Sequence, residues 1–215
     1  MLSVLTDNWD LFRDGFWLTI RLFLVSAVLS LVLGTILAAF RVSPIPALRA
    51  VGTGYVNTLR NTPLTLVFAF LFFGAAKTDL ALPSPFWSGV GALTIYTAAF
   101  VCEVVRSGVN TVSPGQSEAA RAVGMTFFQV LTLIVLPQAF RAIVPPLSSV
   151  FIALLKNTTI AAGFSLAEAG AISFAMSERG ENQLLTLTWI AIGFLILIVP
   201  LMFLQRWAER RTAVA

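Results

Sequence analysis

Lys156, Asn157, Thr158 and Thr159 stand in a row inside an otherwise apolar stretch. An ammonium, an amide and two hydroxyls side by side offer a set of donors that suits a carboxylate. Counted from Pro145 along a helix, Lys156 lies about 16 Å in, near the middle of a bilayer. An ionisable group at that depth is costly, so it faces a cavity or the interior of a bundle. The alternatives are snorkelling to the interface or an ion pair with an acid such as Glu103. Arg60 and Thr62 make a second polar point. Thr62-Pro63 breaks a helix and leaves backbone groups free to line a cavity, while Arg60 either touches what passes there, anchors the helix at the interface or serves packing. Glu103 and Arg106, three apart, can meet on one helix as an ion pair or a gate near the cytoplasmic side.

The residue types exclude much other chemistry. There is no histidine and only one cysteine, Cys102, so a Ser-His-Asp triad, a His-rich zinc site and an intrachain disulfide framework are ruled out. No Gly-x-x-x-x-Gly-Lys-Ser/Thr loop cradles a phosphate, so the chain cannot hydrolyse ATP by itself. Residue types alone leave one enzyme reading, an intramembrane Ser-Lys dyad using Lys156. The net charge of +4 comes from arginines spread singly at helix ends, which sets topology and does not make a nucleic-acid patch.

These groups need elements to hold them, and the composition specifies the elements. Hydrophobic residues make up 58% and charged residues 11% of the chain, against roughly 25% charged in a soluble domain. The expected fold is therefore all-α, a polytopic membrane bundle of about five transmembrane helices in one domain spanning 1–215. Uncharged or nearly uncharged stretches place the spans at about 16–40, 55–76, 87–106, 142–162 and 184–204. The first reads as a retained helix and not a cleaved signal, because three Asp precede it and no Ala-x-Ala site follows. An odd number of spans puts the termini on opposite sides. With the N terminus outside, the inner side collects Arg41, Arg49, Arg60, Arg106, Arg121, Arg141, Arg206, Arg210 and Arg211, and the outer side only Arg13, Lys77 and Arg179. The expected orientation is therefore N terminus outside and C terminus in the cytoplasm. Ser165 to Gln183 then lies at the outer face, as a surface for an external protein or as a solvated loop.

The inner stretch 107–141 is too long for a turn and carries its own pattern. Ser113-Pro114-Gly115-Gln116-Ser117 supplies helix-start chemistry, and Glu118 to Val123 is a short run of mostly good helix formers closed by Gly124. Thr126 caps a second helix expected from Phe127 to about Leu136, where Pro137 stops it, and Pro145-Pro146 punctuate the start of the fourth span. Two short helices hinged at a glycine and facing the cytoplasm form a docking element.

Glu118-Ala119-Ala120, Gly124, Ile134 and Leu136-Pro137, at this spacing on an inner loop, resemble the EAA loop of membrane subunits of binding-protein-dependent ABC importers. Arg60-Asn61-Thr62-Pro63-Leu64, Tyr96-Thr97, Glu103, Arg106-Ser107-Gly108, Gly115-Gln116 and Lys156-Asn157-Thr158-Thr159 extend the resemblance over nearly the whole chain, to the polar amino acid branch. Arg-Asn-Thr-Pro-Leu-Thr-Leu-Val and Lys-Asn-Thr-Thr-Ile-Ala-Ala are most similar to permeases of glutamate importers. The resemblance implies a type I importer permease fold in the bacterial cytoplasmic membrane and a coupling helix that enters a groove of the ATPase. Glu118 would offer the charge, Ala119 and Ala120 the close approach, and Gly124 the sharp break. The resemblance further implies a second permease subunit, identical or homologous, two cytoplasmic ATP-binding subunits and an extracytoplasmic amino acid binding protein. This chain would be non-catalytic and hold no cofactor, with ATP and magnesium on the partner ATPase. A permease for glutamine, aspartate or arginine is the alternative within the class. An ATP-independent channel and an intramembrane enzyme are the alternatives outside it.

Overall fold

In lipid a backbone this apolar satisfies its N–H and C=O groups by coiling on itself. The computed structural model, which describes residues 2–78 and 82–212, contains helices and no strand among those residues. A short α1 (Leu2–Thr6) leads into α2 (Trp9–Val42), followed by α3 (Pro46–Arg60) and α4 (Leu64–Ala69). α4 runs on as a π-helix (Phe70–Gly74) and a 3-10 turn (Ala75–Lys77). α5 (Pro85–Asn110) precedes the short α6 (Pro114–Ala122) and α7 (Phe127–Gln129). A π-helical run, Val130–Val135, joins α7 to α8 (Leu136–Asn157), which ends in a 3-10 segment, Thr158–Phe164. A 3-10 turn (Ala169–Ala171), α9 (Ile172–Glu178) and α10 (Gln183–Thr212) follow.

Among the described residues four helices are long and apolar enough to cross a membrane: Trp9–Val42, Pro85–Asn110, Phe127–Phe164 and Gln183–Trp207. The expected span 55–76 is not one continuous helix. It belongs to a run that begins at Pro46 and breaks at Asn61–Pro63, leaving Leu64–Gly74 as a shorter apolar helix. The run still tracks α2 in the opposite direction, since Gly52 lies against Leu37 and Arg41, and Phe68, farther on, shares a core with Leu22. The fourth span also differs from expectation, because the helix starts at Phe127 and passes Pro137 without stopping. Pro137 is the second residue after the π-helical run, a position like the start of a helix, where a missing N–H costs little. Pro145 and Pro146 likewise lie inside α8 and do not begin it. In hydrocarbon a broken helix has no water to satisfy its ends, so prolines bend more often than they terminate.

α5 is the central post. It packs most extensively on α2 and also on α8 and α3. Its buried positions are mostly small, among them Ser88, Gly89, Ala92, Ala98, Ala99 and Cys102, which lets neighbouring backbones approach closely. Gly34 of α2 shows how closely: a Cβ there would sit 2.6 Å from Val101 Cβ. Toward one end Leu22, Phe68, Leu93, Leu154 and Leu166 form the main apolar core, with Phe164 stacked on Phe68 at 5.2 Å between ring centres. Toward the other, Leu37, Val56, Ala98 and Cys102 form a second.

Candidate functional site

α6 starts with Pro114 at its first position, where the missing N–H is one that no helix uses. It ends in a Schellman arrangement: Met125 N donates to Ala120 O at 3.1 Å and Gly124 N to Arg121 O at 2.9 Å. Gly124 has φ +90°, a left-handed value that other residues adopt only under strain. Thr126 then opens the next helix with a capping box, its Oγ1 accepting from Gln129 N while Gln129 Oε1 accepts from Thr126 N at 2.8 Å. The element is therefore closed at both ends by its own residues. α6 packs on the run Val130–Val135, and Gln138 Nε2 donates to Gln116 Oε1 at 2.6 Å to brace it. Glu118 and Ala119 are exposed, whereas Ala120 is buried. Of the two alanines expected to admit a partner surface, Ala119 can do so and Ala120 belongs to the packing beneath.

Near the break at Asn61–Pro63 the helix end caps itself. Asn61 Nδ2 donates to Asn57 O at 2.7 Å and Thr62 Oγ1 to Thr58 O at 2.8 Å. The backbone carbonyls expected to be free are thus taken by the side chains that follow them, and Thr62 spends its hydroxyl there. Arg60 turns toward α5. Its Nη1 lies 3.5 Å from Glu103 Oε1, and its guanidinium sits over the Phe100 ring, 5.7 Å from the centroid. Glu103 and Arg106 meet at 3.1 Å along α5, and Arg41 of α2 also pairs with Glu103. Three guanidinium groups from α2, α3 and α5 thus converge on one carboxylate, leaving two positive charges in excess. Lys156 takes no part in this cluster and is exposed.

Beside the cluster, between α5 and α8, lies a cavity of about 380 Å³ lined by Tyr96, Thr97, Phe100, Ser149 and Asn157 among others. Phe100 is shared between the cavity and Arg60, so one guanidinium of the cluster sits at its edge. Of the expected row of donors, Asn157 reaches this cavity. Thr158 is fully buried and donates to Leu155 O at 2.7 Å, and Thr159 donates to Lys156 O at 2.8 Å. Both hydroxyls bond within their own helical segment.

Sequence reasoning misses Arg41, Ser149 and Phe100 as members of this region. It also misses Glu168, which lies in the stretch expected at the outer face and has no exposed surface at all. The solvated-loop reading of that stretch does not hold as far as Met176, since Leu166, Glu168, Ala169, Ile172 and Met176 are buried.

Residues 30–214 match the family described as "Binding-protein-dependent transport system inner membrane component". The chain is 45% identical to the glutamate transport system permease protein GluC of Corynebacterium efficiens, over 94% of this chain and 93% of that one. It is 42% identical to GluC of Corynebacterium glutamicum, again over 94% and 93%. Among solved structures, the crystal structure of an amino acid ABC transporter with histidines superimposes with a TM-score of 0.88 at 28% identity, covering 95% of each chain. With its membrane-spanning helices and the match covering most of its length, the chain belongs to the family of inner membrane components of binding-protein-dependent transport systems.

Proposed function

We propose that this chain is the permease subunit of an ATP-driven importer whose substrate is glutamate. The observation that carries the substrate is its similarity, at 45% and 42% identity over nearly the full length, to two glutamate permeases. The cavity between α5 and α8 is consistent with it: an amide and three hydroxyls, with an arginine over Phe100 at the edge, suit an amino acid with a net negative charge. Lys156 is exposed on the single chain, and a cation left facing lipid within a membrane-spanning helix is costly. A second permease subunit, like this one or identical, covers that face and brings Lys156 to the path between the two.

The chain binds no cofactor and performs no catalysis. ATP and magnesium are held by two cytoplasmic ATP-binding subunits, which receive α6 through Glu118 and Ala119. The N terminus is outside and the C terminus in the cytoplasm, which sets α6 toward the ATPases and the segment after Phe164 toward an extracytoplasmic binding protein. Closure of the ATPases on ATP moves the two α6 helices together and tips the bundle between two states, each favoured by a different ligand.

The test is uptake of labelled glutamate in cells lacking the protein, complemented with the native chain, Glu118→Arg or Lys156→Met, with unlabelled glutamine, aspartate and arginine as competitors. The native chain restores energy-dependent uptake that glutamate competes best, and Glu118→Arg abolishes it while staying in the membrane. Uptake indifferent to Glu118→Arg would remove the coupling role of α6, and better competition by another amino acid would reassign the substrate.

A further inference from the structure

Glu168 lies between α8 and α10, outside the membrane-spanning helices, yet it is completely buried. Thr19 Oγ1 of α2 is 3.1 Å from Glu168 Oε2 and also 3.1 Å from Gly15 O, and it accepts from the Ala169 N–H at 3.0 Å. Glu168 Oε1 accepts from the Gly170 N–H at 2.8 Å. A hydroxyl carries a single hydrogen. If that hydrogen goes to Gly15 O, an ionised Oε2 has no donor among these groups; if it goes to Oε2, the threonine no longer bonds Gly15 O. A proton on Oε2 resolves the conflict, because Glu168 then donates to Thr19 Oγ1, which donates to Gly15 O.

Among the described residues no cation is positioned to favour the charged form. Among the elements packed here, α2 carries Arg13, Asp14 and Arg21. Arg13 pairs with Asp10 and Asp14, and Arg21 stacks over Phe86. The segment Thr158–Phe164 has no titratable residue, and Lys156 before it forms no ion pair with Glu168. α9 carries Glu178, and Arg179 after it donates to Asn8. Burial accordingly pushes the Glu168 carboxyl up from its ordinary value, against the hydrogen bonds from Gly170, Thr19 and Ala171.

The carboxyl holds a wedge in place. Ser165 turns the chain with φ 62°, Leu166 packs where a Cβ on Gly89 of α5 would lie 2.7 Å from it, and Ile172 packs over Gly15 of α2. We propose that Glu168 is kept as the neutral acid and is a positioning residue: its O–H donates to Thr19 and latches the segment from Ser165 to Glu178 onto α2. When pH rises far enough the proton passes to water and the latch weakens. The sign follows from a raised value in the folded state, starting from about 4.3 for a free glutamate. The stabilisation is whole below the ordinary value and is lost as pH rises through the raised one.

Infrared spectra and thermal unfolding of the full-length chain in lipid vesicles, with any subunits that co-purify, test this. The native protein at pH 7 shows a protonated-carboxyl C=O band that Glu168→Gln lacks. The melting temperature of the native chain falls in alkali toward that of Glu168→Ala, while Glu168→Gln, the isostere of the neutral acid, does not follow this fall. Thr19→Val provides a second assignment if Glu168→Gln fails to fold, since loss of the acceptor shifts the band and Thr19→Ser leaves it in place. A native protein with no such band at pH 7, a band unmoved by Thr19→Val, or identical pH profiles for native and Glu168→Gln would overturn the proposal.

Discussion

Glu103 meets three guanidinium groups, while Glu168 meets a hydroxyl and the backbone N–H groups of Gly170 and Ala171 through its carboxyl and, among the described residues, no cation. Both side chains tie α2 to an element distant in sequence, so the difference does not lie in what they connect. It lies in how the charge is balanced. Around Glu103 the side chains of Arg60 and Arg106 remain 47% and 34% exposed, so water shares in solvating the cluster. Around Glu168 small residues close over the site, Gly170 so tightly that a Cβ would lie 2.6 Å from Oε1. A carboxylate with counter-charges can stay ionised under partial cover, and one without them is accommodated as the acid. The consequence for transport is spatial: positive charge is in surplus beside the cavity and absent from the wedge.

The strongest way to break this comparison is Glu103→Gln. It leaves three arginines facing one another with no anion, and removing one partner of a buried ion pair costs about 3–5 kcal/mol. Since the Glu103 side chain is 23% exposed, the lower end, about 3 kcal/mol, is expected in unfolding of the purified protein. Arg41→Met comes next, because the Arg41 side chain is only 12% exposed and its removal costs the bond that joins α2 to α5. Glu168→Ala should follow at about 1–3 kcal/mol, the range for stripping hydrogen-bond partners from buried groups. If Glu103→Gln proves as mild as a surface substitution, the cluster is not held by charge and the contrast with Glu168 disappears.

Much of this was within reach of local patterns. The helix α6, its glycine stop and the Thr126 cap follow from neighbouring residues, and the Glu103–Arg106 contact follows from spacing on one helix. Arg41 stands 62 residues from Glu103, and nothing in its own neighbourhood points to that partner. Reading Pro137 and Pro145-Pro146 as helix ends applies the rule for water, where a freed carbonyl finds another donor. Glu168 could have been singled out by its setting. It stands alone in Leu166-Ala-Glu-Ala-Gly-Ala, whereas Glu178 and Glu181 sit among Ser, Arg and Asn as solvated charges do. Its partner on α2 is the part that no local pattern supplies.

Arg60 sharpens the comparison with the smallest expected effect on stability. Its guanidinium is the farthest of the three from Glu103, and its side chain is 47% exposed, so a half-solvated pair of this kind contributes about 0.5 kcal/mol. Arg60→Met should therefore leave the melting temperature almost unchanged, in contrast with Arg41→Met. Uptake should respond in the opposite order. Arg60 alone of the three lies over Phe100, which lines the cavity, so its loss removes positive charge from the place a carboxylate would occupy. The expected result is a raised KM for glutamate with protein levels in the membrane unchanged, and partial recovery in Arg60→Lys, which keeps the charge but loses the planar fork. A KM unmoved by both substitutions would make Arg60 an anchor for the end of α3 and would place the substrate elsewhere than the cavity between α5 and α8.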